Sequence, residues 1–72
     1  MTKEDIQKLI EAGLPGATAR VFGDDGRHFE AEVVFDGFAS KAVIQQHRMV
    51  YATLGDKVGR EIHALQLKTR AS

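Results

Sequence analysis

Histidine is the residue of this 72-residue chain best suited to metal chemistry. The three histidines are His28, His47 and His63, and the sequence contains no cysteine. Without a thiolate, imidazole is the softest ligand that the chain offers to a metal. The histidines are too far apart in sequence for one helical metal motif, so only the fold can bring His28 and His63 together.

Catalytic patterns are missing from the sequence. We find no cysteine nucleophile, no phosphate-binding loop and no Ser-His-Asp arrangement with a plausible pocket. Asp24 and Asp25 stand in a glycine-flanked turn, where carboxylates are far more often a turn signature than a metal site. A chain this short has little volume for an enclosed active site. We therefore expect no enzymatic activity and no small-molecule substrate.

Length and composition limit the remaining classes of protein to which the chain can belong. The chain is long enough for one small domain, spanning residues 1–72. Ten basic and ten acidic residues give a formal net charge of zero, which argues against strong generic affinity for nucleic acid or acidic membranes. No apolar run reaches membrane-spanning length, and the N-terminus does not resemble a signal peptide. The absence of cysteine fits a reducing, cytoplasmic setting.

The N-terminal segment predicts a helix over residues 3–12. Thr2 and Asp5 resemble a capping box, with Asp in place of the usual Glu. Apolar residues then follow at helical spacing, and Gly13 with Pro15 ends the helix.

A β-hairpin is predicted next, with strands over 17–22 and 29–35 joined by a turn at 23–26. The Gly-Asp-Asp-Gly turn suits positive backbone φ angles. The second strand alternates, so its apolar residues share one face: Phe29, Ala31, Val33 and Phe35.

The C-terminal half predicts a helical region over 41–59 and a third strand over 62–68. Ser40 is the expected N-cap, and the region is one bent helix or two short ones, with weak points at Gly55 and Gly59. Its expected apolar stripe consists of Val43, His47, Val50, Tyr51, Leu54 and Val58. The resulting order is αββααβ: a two-layer α+β sandwich with helices on one face of a three-stranded mixed sheet.

Four segments carry a resemblance to a known family: GRHF at 26–29, FDGF at 35–38, QHRMVYATL at 46–54 and IHALQLKT at 62–69. They resemble the BolA-like proteins, and the resemblance covers nearly the whole chain. The short loop before His28 is similar to the IbaG-type bacterial branch. The resemblance implies the same αββααβ order, in a fold related to the type II KH topology.

The resemblance also implies a role. BolA-like proteins pair with monothiol glutaredoxins and share a [2Fe–2S] cluster, to which glutaredoxin gives a cysteine and glutathione a second thiolate. One ligand from the BolA-like partner corresponds to His63. The second lies in the loop between the first two strands, which makes it His28, or Asp25 at the position where many members carry the loop ligand. No cluster is expected in the isolated chain.

The residues by themselves support plainer interpretations. Periodicity makes His63 a half-buried packing residue beside Leu65, and His28 a solvated residue at a turn exit. His47 lies on the helical stripe, where a core or capping role is more common than a ligand role. Lys41 and Arg48 border that stripe, and with His47 we expect them to contact the partner.

Two other functions remain open. A DNA-binding regulator would use a basic face formed by Lys41, Arg48, Lys57, Arg60, Lys68 and Arg70. A structural interaction module would need no metal. A salt-titrated binding assay separates the DNA-binding role from the metal-binding role. The absorption spectrum of the protein co-expressed with a monothiol glutaredoxin separates the structural module from the metal-binding role.

Overall fold

The computed structural model describes residues 1–23 and 25–72, so Asp24 of the predicted turn lies outside the described residues. Its elements are α1 (Lys3–Gly13), β1 (Thr18–Phe22), β2 (His28–Val34), a 3₁₀ helix (Asp36–Phe38), α2 (Val43–Leu54) and β3 (Ala64–Arg70). The predicted α+β class is confirmed, but the region predicted as one bent helix or two short ones over 41–59 contains the single helix α2, and the 3₁₀ helix lies before that region.

The three strands form one sheet in the order β1-β2-β3. β1 and β2 are antiparallel, whereas β3 runs parallel to β2, as the long helical crossover predicted. Both helices pack on one face of this sheet. The buried residues between them form the core: Ile6, Ile10, Leu14, Ala19, Phe29, Ala31, Val33, Phe38, Val50, Leu54 and Ile62. No helix of the described residues covers the opposite face of the sheet, which is called the open face below.

α1 begins with the predicted capping box. The Thr2 hydroxyl accepts a hydrogen bond from the Asp5 amide at 3.1 Å, and the Asp5 carboxylate accepts one from the Thr2 amide at 3.0 Å. These bonds satisfy two amides that the helix leaves unpaired. Ile6 and Ile10 are fully buried, and the helix continues to Gly13, one residue beyond the predicted end.

α2 is shorter than predicted and begins later. Ser40 is not its N-cap: it has a φ of +68°, and the helix starts at Val43. The Gln45 side chain instead accepts a hydrogen bond from the Ala42 amide at 3.1 Å. The helix ends at Leu54, because Gly55 takes a φ of +60°, so the predicted extension to residue 59 is wrong.

The predicted apolar stripe of α2 is only partly buried. Val50 and Leu54 reach the core, and the third residue on this buried face is Gln46. Val43 is 61% exposed and Tyr51 is 37% exposed. Gln46 tolerates burial because its side chain donates to the Lys41 carbonyl at 3.0 Å and accepts from the Thr69 hydroxyl at 2.6 Å.

The strand boundaries shift slightly in the C-terminal half. β3 starts at Ala64 instead of residue 62, because Ile62 belongs to a turn in which it bridges Val58. Ile62 is fully buried although alternation had placed it opposite Leu65 and Leu67. β2 begins and ends one residue earlier than predicted. Among the residues that the structure describes, neither helix combines the length and apolar character needed to cross a bilayer.

Candidate metal centre

His28 and His63 lie side by side at one end of the sheet. Their ring centroids are 5.5 Å apart, and the rings are perpendicular. The parallel register of β2 and β3 explains this proximity, because it pairs His28 with Ala64, the residue after His63. The Ala64 amide donates to the Arg27 carbonyl at 3.0 Å and fixes the two strand starts together. The prediction that only the fold could unite these histidines is therefore confirmed.

Asp25 organises the loop that carries His28. Its Oδ1 accepts hydrogen bonds from the backbone amides of Arg27 at 2.9 Å and His28 at 2.8 Å. Its Oδ2 lies 2.8 Å from Nδ1 of the His28 ring. These hydrogen bonds, those from His28 first, hold the pKa of the Asp25 carboxyl well below its ordinary value. The loop turns through Gly26, whose φ is +74°, a conformation that suits glycine.

The contact between Asp25 and His28 determines which ring nitrogen can bind a metal. An ionised carboxylate only accepts hydrogen bonds, so Nδ1 of His28 must carry a proton in this contact, and in the neutral ring Nε2 then keeps its lone pair. A carboxylate behind a ligand histidine fixes its tautomer and raises its basicity. Asp25 therefore occupies the position of a supporting group for His28, whereas the sequence had offered the two residues as alternatives.

His63 is exposed, which differs from the half-buried environment expected from periodicity. The alternation starts only at Ala64, so His63 sits in the bend before β3. Its neighbour Ile62 is fully buried and anchors that bend to the core. His63 thus combines an exposed ring with a fixed backbone position, which is what an intermolecular ligand requires.

A concave surface of about 480 Å³ lies beside His28. It is lined by Phe22, Gly23, His28, Phe29, Glu30, Ala64, Leu65 and Gln66. Phe22 is 43% exposed there, and the guanidinium of Arg20 lies 5.7 Å from its ring centroid. Sequence reasoning missed Phe22. The available signal was its position in β1 on the same face as Arg20, where a solvent-facing aromatic residue is unusual.

The two imidazoles fit a shared cluster as half of a ligand set. Within residues 1–23 and 25–72, no group of three or more His, Cys, Asp or Glu side chains could enclose a metal ion. Two histidines on one iron of a [2Fe–2S] cluster are an established ligand pattern. Nitrogens bound to one metal are at most ~4 Å apart, twice a metal–nitrogen bond length, and two exposed rings at this separation can meet that condition.

The residues predicted to contact the partner lie elsewhere. Lys41 and Arg48 are exposed, and His47 is half-buried on α2. Gln46 bonds both Lys41 and Thr69, which places this region beside the C-terminal half of β3. The histidine pair is at the N-terminal end of the same strand, roughly 20 Å away at ~3.3 Å per residue. The structure does not bring these two sets together.

The predicted basic face is interrupted by carboxylates. Arg60 pairs with Asp56 at 2.8 Å, and Lys68 pairs with Glu30 at 3.2 Å. In the part of the chain that the structure describes, Lys41, Arg48, Lys57 and Arg70 have no carboxylate within ion-pairing distance. A phosphate backbone would therefore meet a broken cationic surface.

Comparison with known proteins identifies the family. A BolA-like protein family profile matches residues 12–72. Protein BOLA2 of Arabidopsis thaliana is 37% identical over 71 residues, covering 94% of this chain and 75% of that protein. The DNA-binding transcriptional regulator BolA of Escherichia coli is 28% identical over 78 residues, covering 96% and 74%. The structure of a bolA protein homologue from Coxiella burnetii is 40% identical, with a TM-score of 0.88 and coverage of 99% and 91%. The chain belongs to the BolA-like family.

Proposed function

We propose that this protein is a non-enzymatic cytoplasmic partner of a monothiol glutaredoxin, with which it shares a [2Fe–2S] cluster for cluster trafficking or iron sensing. The observation that supports this proposal best is the exposed pair of imidazoles, His28 and His63, 5.5 Å apart at the end of the sheet. A BolA-like chain without cysteine needs such a pair to contribute two ligands.

The proposed ligand set explains why a partner is required. This chain contributes two neutral nitrogens, and the glutaredoxin cysteine with glutathione contributes two thiolates. Replacing thiolates by imidazoles makes the cluster less negative and raises its reduction potential. A ligand set divided between two proteins also allows the cluster to leave when the proteins separate, which suits transfer.

Asp25 has a positioning role in this proposal. Its carboxylate holds the His28 ring by Nδ1 and holds the loop backbone by two amides. His28 therefore presents Nε2 in a defined direction although the ring is exposed. His63 needs no such support, because the buried side chain of Ile62 fixes its backbone.

We also propose that Lys41, His47 and Arg48 contact the glutaredoxin outside the cluster. Exposed charges at the rim of an interface act mainly on the association rate and its salt dependence. Their distance from the histidine pair makes this contact secondary to the cluster itself.

The test is the absorption spectrum of the heterodimer. The protein is co-expressed with a monothiol glutaredoxin, purified without oxygen, and compared with His63→Ala, His28→Ala and the control Lys8→Ala, at an exposed position of α1. We expect the characteristic cluster spectrum in the wild type and in Lys8→Ala. It should be lost in His63→Ala and reduced in His28→Ala, with all variants folded by circular dichroism. A wild-type spectrum in His63→Ala would refute the ligand assignment.

A DNA-binding role is the second candidate, because the Escherichia coli relative is a DNA-binding transcriptional regulator by name. The ion pairs of Arg60 and Lys68 weigh against it. A binding titration with duplex DNA at several salt concentrations tests this role, since phosphate contacts weaken steeply as salt rises. Sequence-preferring binding that persists near physiological salt and is lost in Lys41→Glu would favour the DNA-binding role.

A further inference from the structure

Among the residues that the structure describes, no strand pairs with the outer edge of β3. β3 is the last strand of the sheet, and its backbone alternates between facing β2 and facing outward. The Ala64 amide and the Arg70 carbonyl both bond toward β2. The outward groups therefore belong to Leu65, Leu67 and Thr69. The Tyr51 hydroxyl, 3.4 Å from the Leu65 carbonyl, confirms which way that edge faces.

α2 runs alongside this edge in the opposite direction. Its Gln46 contacts Thr69 near the end of β3, and its Tyr51 contacts Leu65 near the start. The other flank of α2 faces α1, where a Cβ added at Gly13 would lie 2.6 Å from Thr53. The flank near β3 is therefore free of α1.

This free flank is apolar. Val43 is 61% exposed and Ile44 is 60% exposed, and both belong to the same side of the helix as His47 and Tyr51. Together with the outward edge they form what we call the α2–β3 groove, which consists of Val43, Ile44, His47, Tyr51, Leu65, Leu67 and Thr69. Unpaired strand edges and exposed apolar patches both mark sites of interaction.

The charges around the groove specify its occupant. Lys41 precedes α2, and Arg48 is one turn from Ile44. Within the described residues, neither has a carboxylate within ion-pairing distance. An acidic segment would neutralise these cations, and apolar side chains at every second position would face the α2 flank.

We propose that the α2–β3 groove binds an extended acidic segment of a partner protein by strand addition. The segment pairs its main chain with the outward groups of Leu65, Leu67 and Thr69 and packs apolar side chains on Ile44 and Tyr51. β3 has seven residues, so a segment of roughly six residues fills the edge. A second copy of this chain fits less well, because its own α2 would lie about one strand spacing, ~5 Å, from this one, closer than helices pack.

The experiment uses ¹⁵N-labelled protein without cluster or glutaredoxin. The probe is an acetylated hexapeptide of alternating aspartate and leucine. We expect the largest amide shifts, and slowed hydrogen exchange, at Leu65, Leu67 and Thr69. A peptide of alternating lysine and leucine should bind at least about tenfold more weakly, and N-methylation of the peptide amides that pair with β3 should do the same.

Variants of the protein locate the site. Ile44→Asp should lower the affinity for the acidic peptide about tenfold. The matched control is Phe22→Asp, at an exposed aromatic residue on β1, which should change this affinity less than about twofold. His63→Ala should bind the peptide like the wild type, which separates this inference from the cluster proposal. Equal affinity in Ile44→Asp, or shifts gathered on the open face, would overturn the inference. So would protection of the same amides on raising the protein concentration without peptide, since a second copy would then be the occupant.

Discussion

The two ends of β3 are built by different means. At the N-terminal end, His63 lies in the bend before β3 and His28 at the start of β2, and hydrogen bonds that His28 donates to Asp25 orient its ring. At the C-terminal end, α2 and the strand edge present apolar side chains and backbone groups on regular elements. The first end offers a few nitrogens in a defined direction, which suits coordination. The second offers a continuous surface, which suits recognition of a chain.

We predict that a substitution at one end of β3 affects only the function of that end, cluster binding or peptide binding. His63→Ala should abolish the heterodimer's cluster spectrum and leave peptide affinity unchanged. Ile44→Asp should weaken peptide binding about tenfold and leave the cluster spectrum intact. Spectra and peptide titrations on the same two purified variants provide the measurement. Loss of both properties in either variant would mean that the ends form a single interface.

The next largest effect is expected for substitutions of Asp25, which accepts the hydrogen bonds that orient His28. Asp25→Ala should lower cluster retention about 10- to 100-fold, the usual cost of removing a group that supports a metal ligand. Asp25→Asn is the sharper variant. Its amide oxygen can still accept from the loop backbone, but its amide hydrogens would face Nδ1 of His28 and favour the tautomer with a protonated Nε2.

Cluster loss rates under chelator challenge distinguish these roles. If tautomer control matters, Asp25→Asn should lose the cluster about as fast as Asp25→Ala. If the carboxylate serves only to shape the loop, Asp25→Asn should behave like the wild type. Retention equal to the wild type in both variants would exclude a positioning role.

The state of Asp25 also predicts how the loop responds to acid. Because the folded pKa lies below the ordinary carboxyl value of ~3.9, ionised Asp25 stabilises the fold at pH above that value. The contribution decreases as pH falls below that value and is fully lost once pH has fallen through the lowered folded pKa. The Asp25 carboxyl carbon shift and the Arg27 and His28 amide shifts should therefore show no step near the ordinary carboxyl value and should change together at strongly acid pH. Amide shifts that move near the ordinary carboxyl value would contradict the hydrogen-bonded geometry.

Much of the fold follows from patterns that are local in sequence. The Thr2–Asp5 capping box and the alternation of Phe29, Ala31 and Val33 each correspond to the observed element. The boundaries of α2 did not follow, because its start depends on the conformation of the preceding turn, including the positive φ of Ser40. The exposure of Val43 in α2 could not be predicted either, because the spacing of apolar residues does not show which part of the helix extends beyond the sheet.

The candidate site was predictable in outline only. The parallel return of β3 brings His28 and His63 to one end, and topology alone gives that result. The bond from His28 to Asp25 depends on how the loop turns through Gly26, which spacing does not specify. The exposure of His63 depends on where β3 begins, and a shift of the start to Ala64 changed it from a strand residue to a bend residue.

A smaller effect is expected from adding a side chain at Gly23, which lies close to Phe29 and to the backbone of His28. A Cβ at Gly23 would lie 2.7 Å from a ring carbon of Phe29 and 2.8 Å from the His28 carbonyl oxygen. Gly23→Ala should therefore lower the free energy of unfolding by about 1–3 kcal/mol, as overpacking does. Urea denaturation measures this, with Thr18→Ala at the far end of β1 as the control. A change below about 0.5 kcal/mol would show that the loop yields without cost.

The smallest effect is expected for Lys41→Glu near the α2 end, measured on the glutaredoxin heterodimer. Lys41 is exposed, so its reversal should slow association on the order of a few-fold at low salt and leave the cluster spectrum unchanged. The difference from the wild type should shrink as salt screens the charge.

Stopped-flow measurement at two salt concentrations gives the association rate. Val50→Ala, at a fully buried position, serves as the reference for a loss of stability, at roughly 2 kcal/mol. A stability loss in Lys41→Glu as large as that of Val50→Ala would make Lys41 structural. An unchanged association rate at low salt would indicate that the glutaredoxin contacts the histidine end of β3 and not Lys41.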